Sequence, residues 1–158
     1  MAAAQNLAAD AIVEHQRDGF VVSTDRARLD INLAHKFIAS SYWAKQIPYE
    51  TFARSVENSL CFGVYDPAGA QVGFARVISD FATFAYLADV FVLESQRGQG
   101  LGKLLMECIM QHPKLQGLRR WTLSTLDAHG LYAQYGFTPL QWPERYMEIF
   151  RPKMYESV

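Results

Sequence analysis

The sequence predicts a mixed α/β domain built on a mostly antiparallel sheet, and three observations predict it. Residues 60–65, 71–79 and 85–93 are apolar, aromatic and β-branched runs separated by turn residues, which reads as a meander of three antiparallel strands. Leu101, Leu104, Leu105, Cys108 and Ile109 then follow the i, i+3, i+4, i+7, i+8 spacing of one buried helix face. Residues 120–126 return as a strand, so 89–126 forms a strand–helix–strand crossover. Such units are parallel and right-handed.

Taken in order, residues 1–18 are alanine-rich with a weak helical stripe at Leu7, Ala8, Ala11 and Ile12. They are set apart as an N-terminal extension, helical or disordered, ahead of a single domain spanning 19–158. Residues 19–24 read as a strand around Phe20, Val21 and Val22, and Asp30 is placed to cap a helix whose buried face is Ile31, Ala34, Phe37 and Ile38. Ile47-Pro48-Tyr49 opens a second helix running to about Asn58. The Asp66-Pro67-Ala68-Gly69 turn joins the next two strands into a hairpin. His112-Pro113 and Gly117 stop the long helix and turn the chain into 120–126. A short helix follows from about 128 to 135, then strands near 138–140 and 146–150.

The 158 residues fit one domain, and a composition of 50% apolar and 20% charged residues is that of a globular protein. A net charge of −1 supplies no global field toward nucleic acid or an anionic membrane, so neither is expected as a partner. No apolar run reaches the length of a membrane-crossing helix, and Met1-Ala2-Ala3-Ala4 lacks the positive start of a secretory signal. Cys61 and Cys108 each lie in an apolar segment and read as buried small hydrophobes in a reducing compartment; the expected location is cytoplasmic. His15, His35, His112 and His129 are scattered without ligand spacing, so no metal is expected.

Between the third meander strand and the long helix lies Arg97-Gly98-Gln99-Gly100-Leu101-Gly102-Lys103. Glycine lets a bulky anion approach the main chain, and the helix that follows begins with free N–H groups. A strand, a glycine loop and a helix N-terminus make a phosphate cradle. A Walker loop is excluded because Gly102-Lys103 is followed by Leu104, and a dinucleotide fingerprint is excluded by the spacing of Gly98, Gly100 and Gly102. What remains, Arg97-x-x-Gly100-x-Gly102 directly after Val90-Phe91-Val92, resembles the acyl-CoA signature of the GCN5-related N-acetyltransferases (GNAT). Downstream, Leu131-Tyr132-Ala133-Gln134-Tyr135-Gly136-Phe137 is similar to that family's second motif, in which a tyrosine precedes Gly-Phe by four residues. The resemblance covers roughly Leu60 to Phe137.

The resemblance implies helices on both faces of the sheet and middle strands that splay apart, with acetyl-CoA entering the gap. It places the pantetheine arm on main-chain groups of Val90, Phe91 and Val92, one N–H of which would polarise the thioester carbonyl. It places the pyrophosphate on Gly98, Gln99, Gly100, Leu101, Gly102 and Lys103, with Arg97 adding charge. Tyr132 takes the position of the family's general acid, while Tyr135, offset by three, is expected to pack. Tyr86-Leu87-Ala88-Asp89-Val90-Phe91-Val92 is similar to the corresponding strand of diamine acetyltransferases, which carry a glutamate where this chain has Ala88. Asp89 is therefore the second catalytic candidate, since a carboxylate in so apolar a strand is costly unless paired. Asp127 is an alternative base, or else an N-cap. Thr125 stands where many members place a pantetheine-binding asparagine. Tyr42, Trp43 and Tyr49 are candidates for the wall of the acceptor site, along with Asp89 and Asp127. The expected activity is transfer of the acetyl group of acetyl-CoA to a primary amine of a small molecule by direct attack in a ternary complex, by a monomer or homodimer. A protein amino group as acceptor, and a CoA-binding regulatory module without turnover, are the alternatives.

Overall fold

A computed structural model describes residues 11–156. Its six-stranded sheet has the order β1-β2-β3-β4-β5-β6. The strands are β1 (Glu14–Arg17), β2 (Phe20–Ser23), β3 (Leu60–Tyr65), β4 (Gln71–Ser79), β5 (Phe84–Val92) and β6 (Arg120–Leu123). Only β5 and β6 run parallel; every other pairing is antiparallel. The helices are α1 (Ile31–Ala39) and α2 (Tyr49–Glu57) between β2 and β3, α3 (Leu101–Gln111) in the β5–β6 crossover, and α4 (His129–Ala133) after it.

The meander, the crossover and the two early helices match the expected mixed α/β architecture. Asp30 caps α1 as expected, its side chain accepting from the Leu33 N–H. Leu7 and Ala8 of the proposed N-terminal stripe lie outside the described residues. Residues 14–17, expected in a helical or disordered extension, instead form β1 and pair with β2 from Glu14↔Ser23 to Arg17↔Phe20. The cause is the Asp18-Gly19 turn, whose two central residues have φ of 52° and 81°. That is the twist a two-residue hairpin demands.

Two expectations near the C-terminus need correction. β6 ends at Leu123 rather than 126, and the strands expected at 138–140 and 146–150 do not form. Pro139 removes a ladder donor from the first of these, and a 3-10 turn at Pro143–Arg145 interrupts the chain before the second. Among the described residues, 146–150 join no strand pairing and no strand lies on the outer side of β6.

The core has two halves, one on each face of the sheet. Leu101, Leu104, Leu105, Cys108 and Ile109 of α3 pack on Phe62, Val64, Val77 and Leu87. Ala34 and Ile38 of α1, with Phe52 and Val56 of α2, pack on Cys61, Phe74 and Phe91 of the opposite face. Both thiols are buried, one in each half, and burial pushes each up to about 12. Among the described residues, no helix is long and apolar enough to cross a membrane.

The end of β5 is held by a close approach at Gly73, which pairs with Val92. A Cβ at Gly73 would lie 2.9 Å from the Phe91 carbonyl oxygen and 2.9 Å from Val64 Cγ2. Gly73→Ala is therefore expected to lower stability by about 1–3 kcal/mol through overpacking, read from urea denaturation at unchanged m-value. An unchanged midpoint would show that β5 has room to shift.

Candidate active site

β5 and β6 pair over four residues only, from Phe84↔Arg120 to Leu87↔Leu123, and then part. The parting begins at a bulge. Arg76 faces Ala88 and Phe74 faces Phe91, so Asp89 and Val90 together oppose the single residue Ala75. Asp89 takes a left-handed conformation, φ 55°, which aspartate tolerates better than most residues. The extra residue inverts the alternation of the strand. Leu87 and Val90 both face the α3 half of the core, while Phe91 turns to the other half and stacks on Phe37 with ring centroids 3.9 Å apart.

Both oxygens of the bulge carboxylate accept a bond. Arg76 Nε donates to Asp89 Oδ2 at 2.5 Å, and Trp43 Nε1 donates to Asp89 Oδ1 at 2.9 Å. Trp43 belongs to the loop between α1 and α2, where Tyr42 meets it edge to face. Tyr42 reaches the other arm of the fork, its hydroxyl accepting from the Leu126 N–H at 3.1 Å. Two hydrogen bonds thus tie one loop to the β5 bulge and to the segment that follows β6. The rings remain open to solvent, Tyr42 at 62% and Trp43 at 42% exposure. Tyr49 does not join them; it packs edge-on against His35.

On the opposite side of the fork stands the glycine loop. Gly100 is the N-cap of α3 with φ 76°, and a Cβ there or at Gly98 would meet nothing within 4 Å. The first bond of α3 runs from the Leu104 N–H to the Gly100 carbonyl, so the amides of Leu101, Gly102 and Lys103 open the helix with no side-chain cap over them. Open space before a row of amides suits a diphosphate. Arg97 leans back on β5, its Nε donating to the Val92 carbonyl, and Gln99 bonds to Gln96. This is a cradle with room in front of it.

Tyr132 of α4 is buried against the α3 half of the core. Burial, with smaller contributions from the Tyr42 phenol and the Asp127 carboxylate, pushes its hydroxyl up to about 12. The Tyr135 hydroxyl instead donates to the Lys103 carbonyl at 3.2 Å, pinning α4 to α3 in the packing role expected of it. Asp127 is exposed and does not cap α4; the hydroxyl of Thr125 accepts from the Ala128 N–H instead. The structure therefore gathers Asp89, Val90, Phe91 and Val92, the cradle, Tyr132, Tyr42 and Trp43 around one fork. Arg76 and Leu126 are the participants that sequence reasoning missed. Arg76 carried no motif, and only the isolated carboxylate at 89 signalled that a partner was needed.

Breaking the Arg76–Asp89 pair tests what holds the fork. The two side chains are 17% and 8% exposed. Asp89→Asn keeps the left-handed preference and the acceptor for Trp43 but leaves the guanidinium without its counter-charge. A loss of about 3 kcal/mol is expected in chemical denaturation. A loss below about 0.5 kcal/mol would place the pair in the class of solvent-screened bridges.

Residues 57–139 match the family model described as an acetyltransferase (GNAT) domain. A solved structure from Xanthomonas campestris pv. campestris, assigned to the GNAT family, is 54% identical, with a TM-score of 0.85 over 87% of this chain and 97% of that one. A protein of Gibberella zeae bearing an acetyltransferase name is 30% identical, the match covering 75% of this chain and 78% of that protein. A Clostridium acetobutylicum protein solved with acetyl-CoA shares the fold, with a TM-score of 0.59 at 12% identity over 89% of this chain and 96% of that one. On the family model and these relatives, the chain belongs to the GNAT family of acetyltransferases.

Proposed function

We propose that the protein transfers the acetyl group of acetyl-CoA to a primary amine of a small molecule, by direct attack within a ternary complex. The observation that carries this reading is the meeting of the glycine cradle, the free flank of β5 and a buried phenol at one fork. Acetyl-CoA, when bound, supplies a thioester open to attack by an amine. The amides opening α3 hold its diphosphate, with Arg97 adding charge beside them. Main-chain groups of Val90, Phe91 and Val92 lie beyond the last β6 pair at Leu87, where they are available to the pantetheine amides and the thioester carbonyl.

Tyr132 serves the departing sulfur. At about 12, its hydroxyl stays protonated at neutral pH and is always loaded as a donor. Full transfer to a thiolate of ordinary pKa ~8.5 would run uphill, so the hydroxyl acts chiefly by hydrogen-bonding charge as it develops. Asp89 orients Trp43, its Oδ1 accepting from the indole N–H while its Oδ2 is held by the Arg76 guanidinium, and it keeps lone pairs with which to receive the amine's proton. Asp127, the exposed carboxylate beside Tyr132, and water are the alternative acceptors of that proton. The exposed rings of Tyr42 and Trp43 form the acceptor wall, and aromatic faces attract ammonium groups. A panel of small amines assayed for CoA release tests the whole reading; tight CoA binding without turnover on any amine would favour a regulatory module.

Two variants test the parts. Gly100→Val places a branched side chain in the open space of the cradle at a left-handed position, and CoA affinity by calorimetry is expected to fall at least about tenfold. Unaltered affinity would limit the glycine to a turn. Tyr132→Phe keeps the ring in the core and removes the donor, with an expected loss in kcat of about 10²–10⁴ and near-normal CoA binding. Because the phenol loses its proton only near 12, wild-type kcat should show no alkaline limb from Tyr132 below about pH 11.

A further inference from the structure

On one face of the sheet α1 and α2 cover Cys61, Phe74 and Phe91. Ile78 and Phe84 lie beyond them, 42% and 39% exposed. Ala85, Leu87, Trp121 and Leu123 pack into the α3 half, so alternation puts Phe84, Tyr86, Arg120 and Thr122 on the opposite face. Val77 likewise puts Ile78 there. The register sets these residues side by side: Ile78 beside Tyr86, Tyr86 beside Thr122, and Phe84 beside Arg120. They form an apolar and aromatic strip on the same face as Arg76 and the bulge carboxylate.

The two ends of the strip differ in charge. At the fork stand Asp89, paired with Arg76, and the exposed rings of Tyr42 and Trp43. Burial, and then the Asp89 carboxylate, push the Tyr86 hydroxyl up while Arg76 opposes them, which puts the phenol beside that pair. At the far end stands Arg120. Among the described residues its guanidinium makes no ion pair or hydrogen bond; it lies over the Tyr146 ring at 5.5 Å, which leaves N–H groups open. Asp80 of the β4–β5 turn does not neutralise it, because its oxygens accept from the N–H groups of Ala82, Thr83 and Phe84 and from the Thr83 hydroxyl. The adjoining cavity of about 590 Å³ adds Arg119 and Arg145 to this end and no acidic residue.

We propose that this strip selects the acceptor: a primary amine with an aromatic body and a carboxylate at its far end, which Arg120 receives. The inference rests on the acetyl-transfer reading above and names its substrate class. Phe84, the neighbour of Arg120, precedes Asp89 by five residues, or roughly 16 Å of strand. The amine and carboxylate of a single α-amino acid are separated by one carbon and cannot engage both ends. An extended tripeptide spans roughly 10 Å, and the length of an arginine side chain covers the remainder. A linear diamine has the reach but brings a second cation to a positive end, so it is rejected by repulsion.

The test compares kcat/KM for four acceptors: glycyl-phenylalanyl-glycine, its C-terminal amide, glycyl-alanyl-glycine and diaminooctane. The free acid with the ring should be best. Removing the charge or the ring should each cost about tenfold, and the diamine should be poorer still. Arg120→Gln should erase the preference, leaving acid and amide within about twofold of each other, with CoA affinity by calorimetry unchanged. Equal rates on acid and amide in the wild type, a preference that survives Arg120→Gln, or an indifference to the ring would each overturn the inference. Turnover confined to amines without a carboxylate overturns it too, and in all these cases acetyl transfer itself stands. Absence of CoA release with these four and with the wider amine panel would instead remove the acetyl-transfer reading, and this inference with it.

Discussion

The structure turns on one extra residue in β5. Without the bulge at Asp89, the strand would keep its alternation and could continue alongside β6 beyond Leu87. With it, Val90 and Val92 join the α3 half of the core while Phe91 joins the other, and the backbone is freed on one side. A non-glycine residue in a left-handed conformation costs on the order of 1–3 kcal/mol, so the surroundings must over-determine it. Arg76 and Trp43 do so, one from the neighbouring strand and one from a distant loop. The strain sits where the strands must part.

The two halves of the core then divide the work of the site. The α3 half fixes the N-terminus of that helix and, through the Tyr135–Lys103 bond, the short α4 that carries Tyr132. The other half fixes α1 and α2, and so the loop that brings Tyr42 and Trp43 across the sheet. The glycine loop and Tyr132 thus belong to one face, and Tyr42 and Trp43 to the other. They meet at the fork, where the bulge sends Val90 to one half and Phe91 to the other.

Much of this was legible in the sequence, for local reasons. The Asp30 cap, the helical spacing of 101–109, the turn at 66–69 and the glycine loop each act within a few residues of themselves. The Asp18-Gly19 hairpin was equally local and was obscured by the alanine-rich stretch before it. The strands near the C-terminus were misread because pattern reports what a segment can pair with, not whether its own chain reaches the partner. Asp89 could be picked out as an anomalous carboxylate, but Trp43 lies 46 positions away in sequence and its bond to Asp89 has no local signature. The bulge was invisible for the same kind of reason: it is a mismatch between two strands, and one strand's sequence does not record it.

The burial of Cys61 and Cys108 has a chemical consequence for a protein that handles an activated thioester. Acyl exchange from a thioester to a cysteine needs the thiolate, and with both thiols near 12 only about one in 10⁵ is ionised at pH 7. Each is also walled off by a hydrophobic half-core, so neither the cofactor nor a soluble oxidant reaches the sulfur. Neither thiol therefore competes for the acetyl group of a thioester, and neither cysteine is a site of self-acetylation.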